Sequence, residues 1–497
     1  MDNTFTSAAR NITTTENGHA AARSTGTAVL DLYSQIGALR GMDFDVRVKA
    51  LVDAAVAESR LLTAKTIFYG RDARGGTGER QLFRDIIKYC ATNYPGVIKP
   101  NIHLIPEYGR WDDLYALVGT PLENYAASVI REQLYKDMDA LRENKPVSLL
   151  GKWLKSCNTS SPESRALGEW TAKMLGFTER AYRKTLSMLR ARIRIVETQM
   201  SGNKWADIDY EHIPSRAGLI YREAFDRHDH DRYAAYLEDV RDGKAKMNAS
   251  MNTPQDIVHA LIANRGENET LEAMWKNLPD YVNIDENIMV MADVSGSMYG
   301  RPIEVSIGLA MYFAQHNKGA FHNLFMTFES EPSFVSLKDS NSLFANFKLA
   351  DNAPWGGSTD LNKACEAMLA FAVNNKVPDE DMPKRLIIIS DMEIDQATSG
   401  WSRWPHEAMT SGMLHSDELH EMYGRYGYTM PQIIYWNVDA RDNHFQATAT
   451  SKGVMLASGS SPAVFEAIIA MKDVEITPYA AMLEVLNGER YERIRAI

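Results

Sequence analysis

From Ile288 onward the chain alternates short runs that are apolar at nearly every position with segments of helical periodicity, and no other feature constrains its fold as tightly. The runs are IMVMAD, NLFMTFES, RLIIISD, QIIYWNVDA and GVMLAS; between and after them stand PIEVSIGLAMYFAQHN, TDLNKACEAMLAFAVNNK and SPAVFEAIIAMK. A strand that is apolar on both faces must be covered on both. The pattern therefore predicts a mostly parallel, doubly wound (Rossmann-like) α/β sheet with helices on each side. The texture changes across NLPDYVNIDEN, which puts the domain boundary near Asp280 and the sheet domain at 281–475, followed by a C-terminal helix at 476–497. An irregular insertion at 393–428, holding Trp401 and Trp404, interrupts the domain after its most apolar strand; insertions of this length are often functional, though they can simply be packing.

Residues 27–280 read as all-helical, with apolar positions three and four apart in DVRVKALVDAAVAESRLLTAKTIFYG and ERQLFRDIIKYCATNY. Gly- and Pro-bearing connections such as RDARGGTGE, NYPGVIKP and SSPES separate the helices, and without a strict repeat the prediction is an irregular, helical-repeat-like array. A chain of 497 residues with 45% hydrophobic and 24% charged residues is that of a multidomain globular protein. Residues 1–26 are polar and Thr-rich, lack the apolar core of a signal peptide, and are expected to be a flexible lead-in. No run reaches the roughly 18 apolar residues of a membrane helix. Three dispersed cysteines argue against a disulfide framework or zinc site and for a reducing compartment, so a cytoplasmic location is expected.

In MADVSGSMYG, Asp293, Ser295 and Ser297 follow the first apolar run at alternate positions. In an open parallel sheet ligands gather at the carboxyl ends of strands, where the strand order reverses. Two more strand ends offer oxygen: WGGSTD brings Thr359 and Asp360, and RLIIISDMEID brings Asp391. Two carboxylates and three hydroxyls, with no Cys or His, form a hard-oxygen set suited to Mg²⁺ or Mn²⁺ and poor for zinc. With only about two negative charges such a site leaves the metal electrophilic, able to accept a carboxylate or phosphate from a partner. The competing reading is that Ser295 and Ser297 merely cap the following helix. Asp360, Glu393 and Asp395 fit the ligand pattern less well and read as supporting or surface residues.

Asp293-x-Ser295-x-Ser297, Thr359 within GGST, and Asp391 resemble, in order and at comparable strand ends, the metal-ion-dependent adhesion site of von Willebrand factor A domains. The resemblance covers roughly 286–472. It implies a doubly wound sheet that binds protein partners through a metal and performs no chemistry of its own.

The helical half carries a basic segment, ERAYRKTLSMLRARIRIVE. At about 100° per residue, Arg180, Arg183, Lys184, Arg190 and Arg194 fall within about 120° of one another, opposite Tyr182, Leu186, Leu189, Ile193 and Val196. A net charge of −11 excludes a uniformly basic nucleic-acid-binding body, but a local patch of this kind suits phosphate contacts. The alternative is a solvated face paired with Asp207, Asp209 or Glu211. A second basic stretch, GRDARGGTGERQLFR, sets Arg71, Arg74, Arg80 and Arg84 around a glycine turn; it is no Walker loop, since Glu79 stands where lysine is needed, but its arginines could grip phosphate or RNA, while an ordinary helix-hairpin turn needs the same glycines.

A helical module ahead of a von Willebrand factor A-like domain resembles the layout of the Ro autoantigen (TROVE) family, whose helical ring binds small structured and defective RNAs; no Ro RNA contact transfers residue by residue. FYGRDARGGTGERQLFR, LIPEYGRWDDL, RAYRKTLSMLR, KWADIDYEHIPSRA and YWNVDAR more closely resemble a domain-of-unknown-function family of plants, bacteria and large viruses. The expectation is a non-enzymatic, metal-dependent scaffold that binds RNA. The alternative is an adaptor of a MoxR-type AAA+ ATPase, gripping acidic protein ligands through the metal. An enzyme ranks third, because no nucleophile triad, zinc signature or phosphate-cradling loop stands out. HDHD at 228–231 reads as a helix start or solvated turn rather than a metal site.

Overall fold

A computed structural model describes residues 11–18, 20–39, 44, 46–282, 286–328, 332–353, 361–394, 416–441, 444–471 and 476–497. They form two compact units. The sheet unit comprises Met1–Met42, Gly75–Thr77 and Asn252–Gly488; the helical unit comprises Asp43–Arg74, Gly78–Met251 and Glu489–Ile497.

In the sheet unit a short antiparallel hairpin, β1 (Ile12–Thr14) and β2 (Ala20–Ala22), precedes a six-stranded sheet. The strands are β3 (Ile288–Ala292), β4 (Leu324–Thr327), β5 (Phe334–Ser336), β6 (Arg385–Ser390), β7 (Gln432–Asn437) and β8 (Val454–Ser458), in the spatial order β5-β4-β3-β6-β7-β8. All neighbours are parallel except β5, an antiparallel edge that the apolar pattern does not predict. Every residue of β3 and β6 is buried. Each large aliphatic side chain so placed stabilises the fold by roughly 1.5–3 kcal/mol. The chain runs outward from β3 to β4 and β5, then returns to lay β6 against the other side of β3. The order therefore reverses between β3 and β6.

Helices Arg301–His316, Leu361–Asn375 and Ala463–Ala470 accompany the sheet. Pro254–Asn264 and Glu269–Lys276, expected to end the helical array, belong to the sheet unit instead. Gly308 lets the first approach closely: a Cβ there would lie 3.1 Å from the Gln255 nitrogen. Gln255 also donates to Glu304 (2.9 Å), and the Trp275 indole donates to Gln315 (2.7 Å). The lead-in at 1–26 contributes its described part, residues 11–18 and 20–26, to this unit as the β1–β2 hairpin and the turn before helix Ala28–Gln35, where Asp31 accepts from the Ser24 hydroxyl and the Thr25 N–H. The C-terminal helix spans only Pro478–Asn487.

The helical unit is built from Val46–Glu58, Arg60–Arg71, Gln81–Asn93, Glu123–Arg142, Pro162–Leu175, Glu179–Ile193 and Ser215–Arg241, with shorter turns between. Ser59, Ser161 and Thr178 cap three of these by accepting from backbone N–H groups. Its last piece, Glu489–Ile497, returns from the far end of the chain: Arg490 pairs with the buried Asp72 carboxylate, and Tyr491 stacks on Tyr108. Asn101 exchanges hydrogen bonds with Arg495, and a Cβ on Gly96 would strike the Ile497 carbonyl. Of the insertion expected at 393–428, residues 395–415, including Trp401 and Trp404, lie outside the described residues.

Candidate metal centre

Asp293 and Asp391 each follow directly on the carboxyl end of a strand, β3 and β6, the two neighbours between which strand order reverses. The register sets them side by side: Ala292 pairs with Ile389, and the Asp293 N–H donates to the Ile389 carbonyl at 2.9 Å. Asp293 is 0% exposed and Asp391 2%. The Asp293 carboxylate accepts from the Ser295 N–H (2.8 Å) and the Ser390 hydroxyl (2.6 Å), and the Ser295 and Ser297 hydroxyls lie 3.0 Å apart. Asp391 Oδ1 accepts from the Glu393 N–H at 3.2 Å. Its buried Oδ2 has no hydrogen-bond partner among the described residues; the Arg441 guanidinium, shared with Asp439, stands 3.7 Å away.

The capping explanation of the serines does not hold. Helix Arg301–His316 begins after Gly300, and no side chain caps it. Gly300 takes φ 90°, which a residue without a Cβ adopts freely. The turn Gly296–Met298 thus holds Ser295 and Ser297 on the loop after β3, at the same strand end as Asp293.

Burial, then the neighbouring Asp391, pushes the Asp293 carboxyl up to about 6, against the opposing hydrogen bonds of Ser390 and Ser295. Burial raises Asp391 as well, offset in part by the Ser297 hydroxyl, the Glu393 N–H and Arg441. Two buried carboxylates that each disfavour the other's charge, together with hydroxyls and an orphaned oxygen, fit a hard divalent cation. Among the described residues no three His, Cys, Asp or Glu side chains gather as a metal cluster, so the fit rests on this mixed carboxylate and hydroxyl set. Thr359 and Asp360 lie outside the described residues, as does Asp395. Glu393 is buried and turned onto His444. Sequence reasoning missed Ser390; its place just before Asp391 in an apolar strand was the available signal.

The basic helix Glu179–Ile193 buries Tyr182, Leu186 and Leu189 and leaves Arg180, Arg183 and Lys184 exposed, with exposed Arg194 at its C-cap. None of these four makes an ion pair among the described residues, and Asp209, one of the acidic neighbours considered, pairs with His212. Arg190 departs from the predicted stripe. It donates to the Gly151 (2.9 Å) and Leu154 (2.7 Å) carbonyls, closing the short helix Leu150–Trp153, and burial lowers its pKa.

Arg71 is likewise not a surface group. It is 4% exposed and donates to Asp113 (2.8 Å); Arg84 grips the other Asp113 oxygen (2.7 Å) and Asp112 (2.9 Å), and Arg110 pairs with Asp112 (3.1 Å) while lying over the Trp153 ring. The sequence-distant stretches GRDARGGTGERQLFR and YGRWDDL therefore meet in one network around the buried Arg71, Asp112 and Asp113. Arg74 and Arg80 remain exposed beside the glycine turn. HDHD is structural: Asp229 sits at a break in helix Ser215–Arg241 and accepts from Tyr210 and Arg232, while His228 stacks on Trp205.

Residues 287–491 match a family described as Domain of unknown function (DUF7788), and residues 157–286 match Domain of unknown function (DUF2828). Uncharacterized protein L728 of Acanthamoeba polyphaga mimivirus is 27% identical over 523 residues, covering 96% of this chain and 87% of the viral protein. Among solved structures, the Ro (RSR) protein of Deinococcus radiodurans is similar with a TM-score of 0.48 and 14% identity, over 89% of this chain and 99% of that one. The two domain matches and the viral relative fit an uncharacterised family.

Proposed function

We propose that residues 286–472 form a von Willebrand factor A-like domain with a metal-ion-dependent adhesion site, and that the protein is a non-enzymatic binding scaffold whose helical unit binds RNA. The observation that carries the metal site is the buried, mutually repelling pair Asp293 and Asp391 at the switch point, with one carboxylate oxygen unsatisfied. Asp293, Ser295, Ser297 and Asp391 would hold Mg²⁺ or Mn²⁺, with Thr359 assigned by resemblance. When bound, the metal supplies an electrophilic position for a partner's oxyanion. The chain's own part is to hold the oxygens in place: Ser390 and the Ser295 N–H orient Asp293, and the Glu393 N–H orients Asp391. The serines hydrogen-bond each other rather than a histidine, which supports gripping over nucleophilic chemistry.

RNA binding rests on Arg180, Arg183, Lys184 and Arg194, four exposed cations on or beside one helix that no carboxylate neutralises among the described residues, with Arg74 and Arg80 as a second exposed pair. A second reading, an adaptor of a MoxR-type AAA+ ATPase that presents the metal to an acidic protein residue, draws on the net charge of −11. Pulldown from native cells with and without RNase, repeated with Asp293→Ala, separates them. RNase-sensitive partners support the scaffold; RNase-insensitive recovery of an ATPase that vanishes with Asp293→Ala overturns it.

A further inference from the structure

The loop that carries Asp391 is held in a conformation its own sequence does not favour. Met392 takes φ 69°, the left-handed region that a bulky residue adopts only where its surroundings over-determine it. Its N–H donates to the Ser390 hydroxyl (3.0 Å), which donates in turn to Asp293, so this turn links both carboxylates. The Met392 carbonyl accepts from Gln446 (2.9 Å). Glu393, whose N–H orients Asp391, points its carboxylate away from the site: Oε1 lies 2.7 Å from His444 Nε2, and Oε2 accepts the Glu16 N–H at 2.8 Å.

The N-terminal segment then closes over this loop. Asn17 donates to the Glu393 carbonyl (2.8 Å) and Thr15 to the Ile394 carbonyl (2.6 Å), across more than 370 residues of sequence. Behind them Ala22 and Phe445 exchange backbone hydrogen bonds at 2.8 and 2.9 Å, tying the hairpin to the segment that bears His444 and Gln446. From 392 to 394, each of the three backbone carbonyls is bound by a side chain from one of two distant parts of the chain.

We infer that Glu393, His444 and the strap Thr15–Asn17 are positioning residues for the metal centre: they set the aim of Asp391, and hence the affinity for the cation, without touching it. The inference rests on the metal-site reading above. Groups behind the direct ligands commonly govern affinity in this way, and their loss costs about 10–100-fold in metal binding.

The test is Mn²⁺ titration of the full chain by calorimetry, comparing wild type, Asp293→Ala, His444→Ala, His444→Gln and the double variant Thr15→Val with Asn17→Ala. Hydrogen exchange of the Glu393 amide in metal-free protein is measured alongside. His444→Ala and the double variant should each weaken Mn²⁺ about tenfold and speed exchange of that amide. His444→Gln, which keeps an N–H donor for Glu393, should retain most of the affinity. The double variant leaves Glu393 and His444 in place, so it reports even if His444→Ala fails to fold. Wild-type affinity in the double variant overturns the strap, and equal weakening by His444→Ala and His444→Gln overturns the positioning role of the His444–Glu393 hydrogen bond. Absence of Asp293-dependent Mn²⁺ binding in wild type instead overturns the metal site itself, and the strap's role with it.

Discussion

The molecule buries two pairs of aspartates and treats them in opposite ways. Asp112 and Asp113, in the helical unit, are gripped by Arg71, Arg84 and Arg110, so that charge removed from water meets charge of the other sign. Asp293 and Asp391, in the sheet unit, are buried as deeply but meet hydroxyls, backbone N–H groups and one guanidinium at 3.7 Å. Taking a carboxylate out of water is costly unless a partner compensates for it. The first pair has its compensation built in and serves the fold. The second lacks such compensation, which is the observation behind the proposed metal site.

The contrast breaks most visibly by mutation. Asp113→Ala leaves Arg71 buried without its counter-charge and Arg84 with Asp112 alone, and should cost about 3–5 kcal/mol in urea unfolding. Asp293→Asn in metal-free protein should cost nothing or add stability, because it removes one of two repelling charges. A loss as large as that of Asp113→Ala would make the second pair as structural as the first. Next in size, Mg²⁺ at about 100 times its dissociation constant should stabilise the wild-type sheet unit by about 2.7 kcal/mol and leave Asp293→Asn unmoved, read by thermal melting. The arginines sharpen the same contrast. Arg190→Ala should cost about 1–3 kcal/mol through the Gly151 and Leu154 carbonyls it abandons, with the salt dependence of RNA binding unchanged. Arg183→Ala should leave stability within about 0.5 kcal/mol and lower the slope of log affinity against log salt by about 0.7–0.9, one phosphate contact.

Much of the sheet unit was legible because a doubly covered strand leaves a distinctive apolar run, and because Asp293 and Asp391 fall at the ends of two such runs. What escaped reading was long-range. The wheel put Arg190 beside Arg183 correctly in angle, but angle does not reveal that a long guanidinium reaches back to carbonyls some 36 to 39 residues earlier. Arg71 looked like a loop cation because its partner, Asp113, is 42 residues away. Pro254–Asn264 has the periodicity of any amphipathic helix, and periodicity names a buried face without naming what covers it. The N-terminal hairpin did carry a signal, the Asn17–Gly18 pair at its turn, where Gly18 takes φ 87°.

The closure of the helical unit by Glu489–Ile497, and of the sheet unit by a hairpin from the other end of the chain, has a consequence for synthesis. Asp72 waits 418 residues for Arg490, and Glu393 is 377 residues from Glu16. Contacts so far apart are slow to form: Glu16 waits for Glu393 to be made, and Asp72 for Arg490. The nascent protein therefore carries two open cores at once, with the Asp72 carboxylate lacking Arg490 until that residue emerges. It is a natural client for chaperones during that interval, and one whose yield should depend on elongation rate and temperature more than on the stability of the finished fold.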